Sequence, residues 1–336
     1  MTLSKALHTP LCDLLGCRYP IIQAGMGGVA RSELAAAVSA SGAFGCLGMV
    51  REPPELIRRE VAQVKEQTDQ PFGVNIIPAA TEPALLDEQL SACADSGVET
   101  LIFFWDVMPD IVAKAKEAGM KVLYQAGSLS QALAAEAAGA DAVIAQGVEA
   151  GGHIHGGVSS LVLLPQVAQA LRIPVVGSGG FFSGSSLIAA LALGAQGIHC
   201  GTAFLATQES FAHALHKEKV LAARSEDTVH TDAFAINWPP NSPVRVLRSE
   251  VTDSLNNILW GYDPGKIERE VIAEEEGRPI YLFSTDSPLR SMTGDLERLA
   301  LFAGQVAGQI NRQPSASQLV GAMVNEAEAA LAKLKH

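Results

Sequence analysis

One junction recurs along most of the chain: an alanine-rich helical stretch ends at a glycine, and a run of β-type residues begins shortly afterwards. It occurs at Gly42, Gly97, Gly119, Gly139 and Gly194. Glycine after a helix adopts the left-handed conformation that caps the last carbonyls, where other residues meet a steric penalty. Strands that alternate with helices at this interval predict parallel βαβ units.

Eight strands follow from this rhythm. They are predicted over Pro20–Ala24, Phe44–Gly48, Phe72–Ile76, Thr100–Phe104, Lys121–Gln125, Ala142–Ala145, Pro174–Gly177 and Gly197–Cys200. Eight strand–helix units favour an α/β fold of the closed (β/α)8 TIM-barrel type, and an open doubly wound sheet is the next choice. The helix after the fifth strand begins with SLSQ, in which Ser128 and Gln131 predict a capping box.

The character of the sequence changes after Gln208. Residues 209–299 are more charged, contain WPPNSP and lack the strand–glycine rhythm, so we expect a mostly helical insertion or lid after the eighth strand. The barrel is then expected over residues 1–208 and 300–336. Leu299–Ile310 regains an apolar helical period and is predicted to be the closing helix of the barrel, and the tail to His336 predicts a further amphipathic helix.

Charge and composition exclude several classes of partner. The formal charge of −12 argues against nucleic acid or an anionic membrane, which both need a basic surface. Residues 173–208 carry no charged side chain, yet repeated glycines and serines indicate core strands and turns there, and no membrane span. The N-terminus lacks the apolar stretch of a signal peptide, and the five scattered cysteines suit a reducing compartment. We therefore expect a cytoplasmic protein.

Two glycine-rich loops follow the seventh and eighth strands, where barrels commonly bind phosphate. One contains Ser178-Gly179-Gly180, and the other contains Gly201-Thr202. Glycines let backbone N–H groups approach a phosphate closely, Thr202 adds a hydroxyl, and Ser183 is expected to cap a helix whose positive end faces the anion. The alternative interpretation is that these glycines simply form tight turns.

The loop after the sixth strand, GVEAGGHIHGG, is unusually rich in glycine and contains two histidines. His153 can act as a general acid or base near neutral pH. Glu149 and His155 also permit a metal site, but no third ligand is evident, so we expect no metal. An inert, solvent-exposed His153 is the alternative.

Three further strand ends carry candidate ligand-binding residues. After the first strand, Gly25-Met26-Gly27 would let backbone run along a flat ligand. Asn75 and Gln125 lie at the ends of the third and fifth strands, where an amide can both donate and accept a hydrogen bond. For both amides, a purely structural hydrogen bond is the competing interpretation.

Five segments resemble the nitronate monooxygenase (2-nitropropane dioxygenase) family: PIIQAGMGG, PFGVNI, GVEAGGHIHG, PVVGSGGF and ALGAQGIHCGTAFLATQES. The FMN-dependent enoyl-ACP reductases share the same barrel and much of the same pattern. The resemblance covers the part of the chain before the 209–299 segment, with a short extension into it, and returns at LALFAGQVAGQI.

The resemblance implies a non-covalently bound FMN. Residues expected to hold its phosphate are Ser178, Gly179, Gly180, Gly201 and Thr202. Residues expected to lie against its ring are Gly25, Met26, Asn75, Gln125 and Gly152. His153 matches the family's active-site histidine, and Gln305 aligns with a segment that edges the pocket. One departure is Gln125, because some members carry a lysine on the fifth strand.

The function implied by the resemblance is oxidation of alkyl nitronates, or of nitroalkanes, with O2 to carbonyl compounds and nitrite. His153 would orient the nitronate or remove the α-proton of a nitroalkane. The first alternative is an NAD(P)H-dependent reductase of an enoyl-ACP or a quinone, which GVEAGGHIHG matches equally well. A non-catalytic FMN- or phosphate-binding barrel and an enzyme of the IMP dehydrogenase type are further alternatives. Whether the enzyme uses NAD(P)H and whether it forms a homodimer are both left open by the sequence.

Overall fold

The computed structural model describes residues 7–334, and eight parallel strands form its central sheet. These strands and one short strand outside the sheet, β7, are in chain order β1 (Ile21–Gln23), β2 (Gly45–Gly48), β3 (Phe72–Ile76), β4 (Thr100–Phe104), β5 (Lys121–Ala126), β6 (Ala142–Gln146), β7 (Gly152–His153), β8 (Val175–Ser178) and β9 (Gly197–Cys200). The edge strands β1 and β2 meet through a parallel bridge between Ile22 and Phe44, which closes the barrel. The predicted TIM barrel is confirmed.

Helices cover the outside of the barrel. They are α1 (Pro10–Leu15), α2 (Ser32–Ala40), α3 (Pro54–Gln67), α4 (Pro83–Asp95), α5 (Pro109–Glu117), α6 (Leu129–Ala137), α7 (Ser160–Ala170), α8 (Gly184–Ala192) and α9 (Thr202–Leu205). The glycine after α6, Gly139, has φ +96°, as the junction pattern predicts. Ser128 caps α6 through the N–H of Gln131, but the Gln131 side chain accepts from Gly127 N, so the capping box is only half formed.

The core has two layers. Inside the barrel, apolar side chains such as Ile22, Phe44 and Ile102 pack together, and α1 closes the amino-terminal end with Leu11 and Leu15. A larger cluster fills the space between the outer face of the strands and the surrounding helices. Because the closed end is filled by apolar side chains, polar residues at the carboxyl ends of the strands are left to form a site.

Residues 209–299 are not mostly helical, contrary to the sequence-based expectation. They contain α10 (Ala214–Ala222), β10 (Thr228–Thr231), β11 (Val244–Leu247), α11 (Glu250–Ser254), β12 (Val271–Glu275), β13 (Arg278–Tyr281) and β14 (Met292–Gly294). The β12–β13 hairpin turns at Glu276-Gly277, where both residues have positive φ. That is the geometry of a tight I′ turn, which Glu-Gly signals more weakly than Asn-Gly. The strands are also too short for a clear alternation of polar and apolar residues.

The closing helix lies later in the chain than expected. Leu299–Ile310 contains only a short 3₁₀ helix, Gln305–Gln309, because Gly304 and Gly308 interrupt its apolar pattern. The helix that packs back on the barrel, against α8 and α2, is α12 (Ala316–Leu334). The predicted amphipathic tail helix is thus confirmed, while residues 335–336 lie outside the described part of the chain. Within residues 7–334, no helix is long and apolar enough to cross a membrane.

Candidate active site

A cavity of about 260 Å³ lies at the carboxyl ends of the barrel strands. The predicted site residues that line it are Gly25, Met26, Gly27, Asn75, Gln125, Gly152, His153, Ser178, Gly179, Gly180, Gly201 and Thr202. Gln305 does not line it: its side chain is exposed, and its neighbours Gly304 and Val306 face the cavity instead. The structure therefore brings together residues from distant parts of the sequence.

The two glycine loops lie side by side. Ser178, the last residue of β8, is the register partner of His199 in β9, and Ser178 Oγ lies 3.0 Å from His199 Nδ1. The segments that follow, Gly179-Gly180 and Gly201-Thr202, therefore leave the barrel at the same end and at neighbouring positions. Both contribute to the wall of the cavity.

These loops present unpaired backbone donors. Among residues 7–334, no acceptor receives a hydrogen bond from the backbone N–H of Gly179, Gly180, Gly201 or Thr202. Gly179 and Gly180 have φ values of +82° and +81°, and Gly179 is buried. Thr202 is also buried, whereas Gly180 is exposed and Gly201 is half-buried. Buried N–H groups almost always have partners, so unpaired ones grouped next to a cavity are typical of a site for an anionic ligand. The Thr202 hydroxyl accepts from Gly304 N at 2.9 Å and can still donate its own hydrogen.

The expected role of Ser183 needs one correction. Ser183 caps α8 in a full capping box with Ser186, as predicted. However, the next two amides of that helix, Gly184 N and Ser185 N, donate to the carboxylate of Glu326 on α12 at 3.3 and 3.2 Å. A protein carboxylate therefore already occupies the positive end of α8, and loop amides are the free donors that face the cavity.

His153 is held by residues of the 209–299 segment. Its strand β7 pairs with β11, with His153 opposite Val244, and its imidazole stacks on the indole of Trp238 at a ring distance of 3.4 Å and an angle of 19°. His153 Nε2 is buried, and no described residue bonds to it. Burial lowers the pKa of His153 well below its usual value, and the nearby charge of Arg51 lowers it further. The imidazole is therefore neutral at physiological pH and has a free ring nitrogen at the cavity.

The second histidine of the loop has a different environment. His155 Nε2 lies 2.8 Å from Asp106 Oδ1, its ring also contacts the amide of Gln131, and it packs on Trp105. Glu149 accepts hydrogen bonds from the backbone and hydroxyl of Ser160 at the start of α7. Both candidate metal ligands thus have protein partners, and residues 7–334 contain no group of three side chains able to hold a metal ion.

The two candidate amides, Asn75 and Gln125, differ in whether the protein itself supplies a hydrogen-bond partner. Asn75 Nδ2 donates to Ile102 O at 2.9 Å, so at least half of this side chain has a structural role. Gln125 is buried, yet its side chain makes no hydrogen bond to any residue of the described chain. An amide without a protein partner at a cavity wall is available to bind a ligand. Gly25 is essential for shape, since a Cβ there would lie 2.2 Å from Asn75 Cβ.

Sequence reasoning missed several cavity residues, among them Arg51, Gln146, His199 and Trp238. Gln146 and His199 lie on β6 and β9, and each has a buried side-chain atom without a partner in the described chain, Oε1 and Nε2 respectively. Arg51 follows β2, so the strand-end rule that identified Asn75 applies to it as well. Trp238 belongs to WPPNSP, and no periodic signal placed that segment next to the barrel.

Two buried histidines predict acid sensitivity. Burial lowers the pKa of His199 and of His216 to about 4. Because the unfolded chain binds these protons from about pH 6.5 downward and the folded chain does not, stability falls as the pH drops from 6.5 to 4. At pH 5 each histidine then lowers the free energy of unfolding by about 2 kcal/mol relative to its value at neutral pH. Urea unfolding of the wild type and of His216→Asn between pH 7.5 and 5 measures this; identical pH slopes for the two proteins would contradict it.

Known proteins resemble this chain over most of its length. The family model described as nitronate monooxygenase matches residues 8–96 and 79–326. The chain is 31% identical to a probable nitronate monooxygenase of Staphylococcus saprophyticus, over 74% of this chain and 81% of that protein. It is 32% identical to the (3aS,4S,5R,7aS)-5-hydroxy-7a-methyl-1-oxo-octahydro-1H-indene-4-carboxyl-CoA dehydrogenase of Mycobacterium tuberculosis, with 96% of both chains covered.

Solved structures agree with these relatives. FabK from Thermotoga maritima superposes with a TM-score of 0.79 at 32% identity and 98% coverage of both chains. A nitroalkane oxidase from Streptomyces ansochromogenes gives a TM-score of 0.79 at 30% identity, with 96% of this chain and 99% of that one covered. With the family match over most of its length and full-length relatives above 30% identity, the chain is an oxidoreductase that belongs to the nitronate monooxygenase family.

Proposed function

We propose that this enzyme binds FMN in the cavity and oxidises alkyl nitronates with O2 to carbonyl compounds and nitrite. The observation that carries the proposal is the pairing of two features at one cavity. A neutral His153 has a free Nε2, and adjacent glycine loops present unpaired N–H groups. Similarity to the probable nitronate monooxygenase of S. saprophyticus and to the nitroalkane oxidase of S. ansochromogenes supports the same substrate class.

The cavity residues fit FMN. The N–H groups of Gly179, Gly180, Gly201 and Thr202 would receive a phosphate, which is the kind of ligand that such backbone concavities bind. Polar side chains that have unpartnered atoms, namely Gln125, Gln146 and His199, would bond to the polar edge of the ring. Bound FMN supplies the transfer of electrons from substrate to O2, for which no amino-acid side chain of the site is suited.

The chain's own residues would bind the substrate and handle its proton. A neutral imidazole can accept the α-proton of a nitroalkane at Nε2 or, in its other tautomer, donate a hydrogen bond to a nitronate oxygen. Stacking on Trp238 and the β7–β11 pairing hold the ring of His153 in one orientation. Trp238, Phe302 and Leu289 contribute apolar surface that limits water at the reacting end of the cavity.

A second candidate is an NAD(P)H- or acyl-thioester-dependent oxidoreductase. The M. tuberculosis relative is named for a carboxyl-CoA substrate and is matched along nearly its full length. Two assays on the FMN-loaded protein separate the candidates. Oxygen uptake and nitrite release with ethyl nitronate, without nicotinamide, support the monooxygenase. Rapid anaerobic bleaching of the flavin by NADH or NADPH, together with no nitrite from nitronate, would overturn it in favour of the reductase.

A further inference from the structure

Arg51 occupies a strained position at the cavity. It lies three residues beyond the end of β2, lines the cavity wall, and has a φ of +57°. A left-handed backbone conformation is unfavourable at a residue other than glycine and persists only where the surrounding structure enforces it. Asparagine or glycine would fit this conformation better. An arginine at this position therefore indicates a role for its side chain at the cavity.

Within the described residues, the guanidinium of Arg51 has no hydrogen-bond or ion-pair partner, although its charged neighbours do. Glu52 pairs with Arg31 at 3.1 Å, and Arg278 pairs with Glu275 at 2.7 Å and with Asp286 at 3.1 Å. Within residues 7–334, Arg51 makes neither a hydrogen bond nor an ion pair, and it is half-buried. Burial lowers the pKa of Arg51, with Asp286 opposing this shift, but an arginine keeps its charge at any physiological pH. The carboxylates of Asp286 and Glu52 are close enough to act on this charge but are themselves paired with Arg278 and Arg31. A partly desolvated charge without a direct ion-pair partner is costly, so an anion at this point is favoured.

The guanidinium of Arg51 lies at the same end of the cavity as His153. Its guanidinium lies 5.8 Å from the centre of the Trp238 ring, the same ring that stacks on His153. The charge of Arg51 is also close enough to lower the pKa of His153. A ligand group held by Arg51 would therefore lie next to the imidazole.

We propose that Arg51 binds a compact, planar anionic group of the substrate, the O–N–O of a nitronate or a carboxylate, and holds it beside His153. This inference rests on the proposed function, and it adds which residue recognises the charge of the substrate. A guanidinium matches a three-atom planar anion because its N–H groups form a fork that donates two parallel hydrogen bonds. A tetrahedral phosphate is also an anion that a guanidinium can bind, so its binding has to be tested separately.

The experiment uses FMN-loaded protein and calorimetric titration with three probes: benzoate, its neutral isostere benzamide, and inorganic phosphate. Arg51→Met should weaken benzoate binding by about tenfold to hundredfold, which is the range expected for a hydrogen-bonded charge pair. Benzamide binding should change by less than about threefold, since it lacks the charge. The matched control is Arg269→Met, because Arg269 also lies over an aromatic ring, Tyr281 at 5.3 Å, but does not line the cavity.

Arg51→Lys provides a second readout, because it keeps the charge and loses the fork; its benzoate affinity should fall between those of the wild type and Arg51→Met. Three results would each overturn the proposal. Benzoate could bind Arg51→Met as tightly as it binds the wild type, or it could fail to bind the wild type at all. The third result is phosphate that binds the wild type more tightly than benzoate does and loses this affinity in Arg51→Met. Each variant's flavin absorbance is recorded first. A wild-type protein that takes up no FMN defeats the proposed function, whereas normal FMN uptake with unchanged benzoate affinity defeats only the role of Arg51.

Discussion

Replacement of His153 by alanine is expected to lower turnover of nitroethane by about 10²–10⁴-fold, the usual contribution of a general acid or base. The loss is expected in kcat, because the free Nε2 of His153 is the proposed acceptor of the α-proton. FMN should stay bound, since the backbone donors and amides that fit it belong to other loops. Turnover at saturating substrate, with flavin absorbance measured on the same samples, gives the result.

His155→Ala is the matched control for this variant. His155 lies two residues away in the same glycine-rich loop but bonds to Asp106 and does not line the cavity. Its removal should therefore reduce turnover by less than about tenfold. Because the pKa of His153 is well below its usual value, wild-type activity should also stay level between pH 8 and 6. Full activity of His153→Ala with FMN bound would remove the proposed role.

Gly179→Ala is expected to weaken FMN binding by about a hundredfold, equivalent to the loss of one or two hydrogen bonds to a charged group. A Cβ at Gly179 would lie 2.7 Å from Gly147 O, and φ there is +82°, so the loop has to move and its N–H groups turn from the cavity. Fluorescence titration of the apoprotein with FMN measures the dissociation constant.

Gly139→Ala controls for backbone strain. Gly139 has a φ of +96°, a new Cβ there meets nothing within 4 Å, and it follows α6, away from the cavity wall. The Gly139→Ala variant should have a free energy of unfolding about 1 kcal/mol lower than the wild type, without any change in FMN affinity. If Gly179→Ala fails to fold, Gly180→Ala replaces it: its φ of +81° is unfavourable for alanine and should shift the loop backbone, while its Cβ meets no atom closer than 3.5 Å. Unchanged FMN affinity in the Gly179 or Gly180 variant would show that this loop does not hold the phosphate.

The barrel was predictable because each strand and helix carries its own local signal. Glycines such as Gly97 and Gly139 end helices by a backbone requirement that does not depend on the rest of the fold. The rule that parallel strands end at one face then placed Asn75, Gln125 and the two glycine-rich loops around one cavity. Local chemistry and barrel topology together were therefore enough to locate most of the candidate site.

The 209–299 segment was not predictable in the same way. Its sheets form through long-range pairing, such as Val244 with His153, and no local pattern indicates which distant strand is the partner. Trp238 precedes β11, the strand that pairs with His153, so its place at the site depends on a long-range contact that the sequence does not indicate. The choice of residue 208 and residue 300 as domain boundaries stays a prediction.

Binding of FMN and riboflavin to the apoprotein, compared directly, tests whether loop amides hold the terminal phosphate. Riboflavin has the same ring and lacks only that group. Several charge-assisted hydrogen bonds from Gly179, Gly180, Gly201 and Thr202 should make FMN bind at least about a hundredfold more tightly. Equal affinity for the two molecules would mean that the unpaired N–H groups of these loops do not bind phosphate, and the proposed site would be wrong.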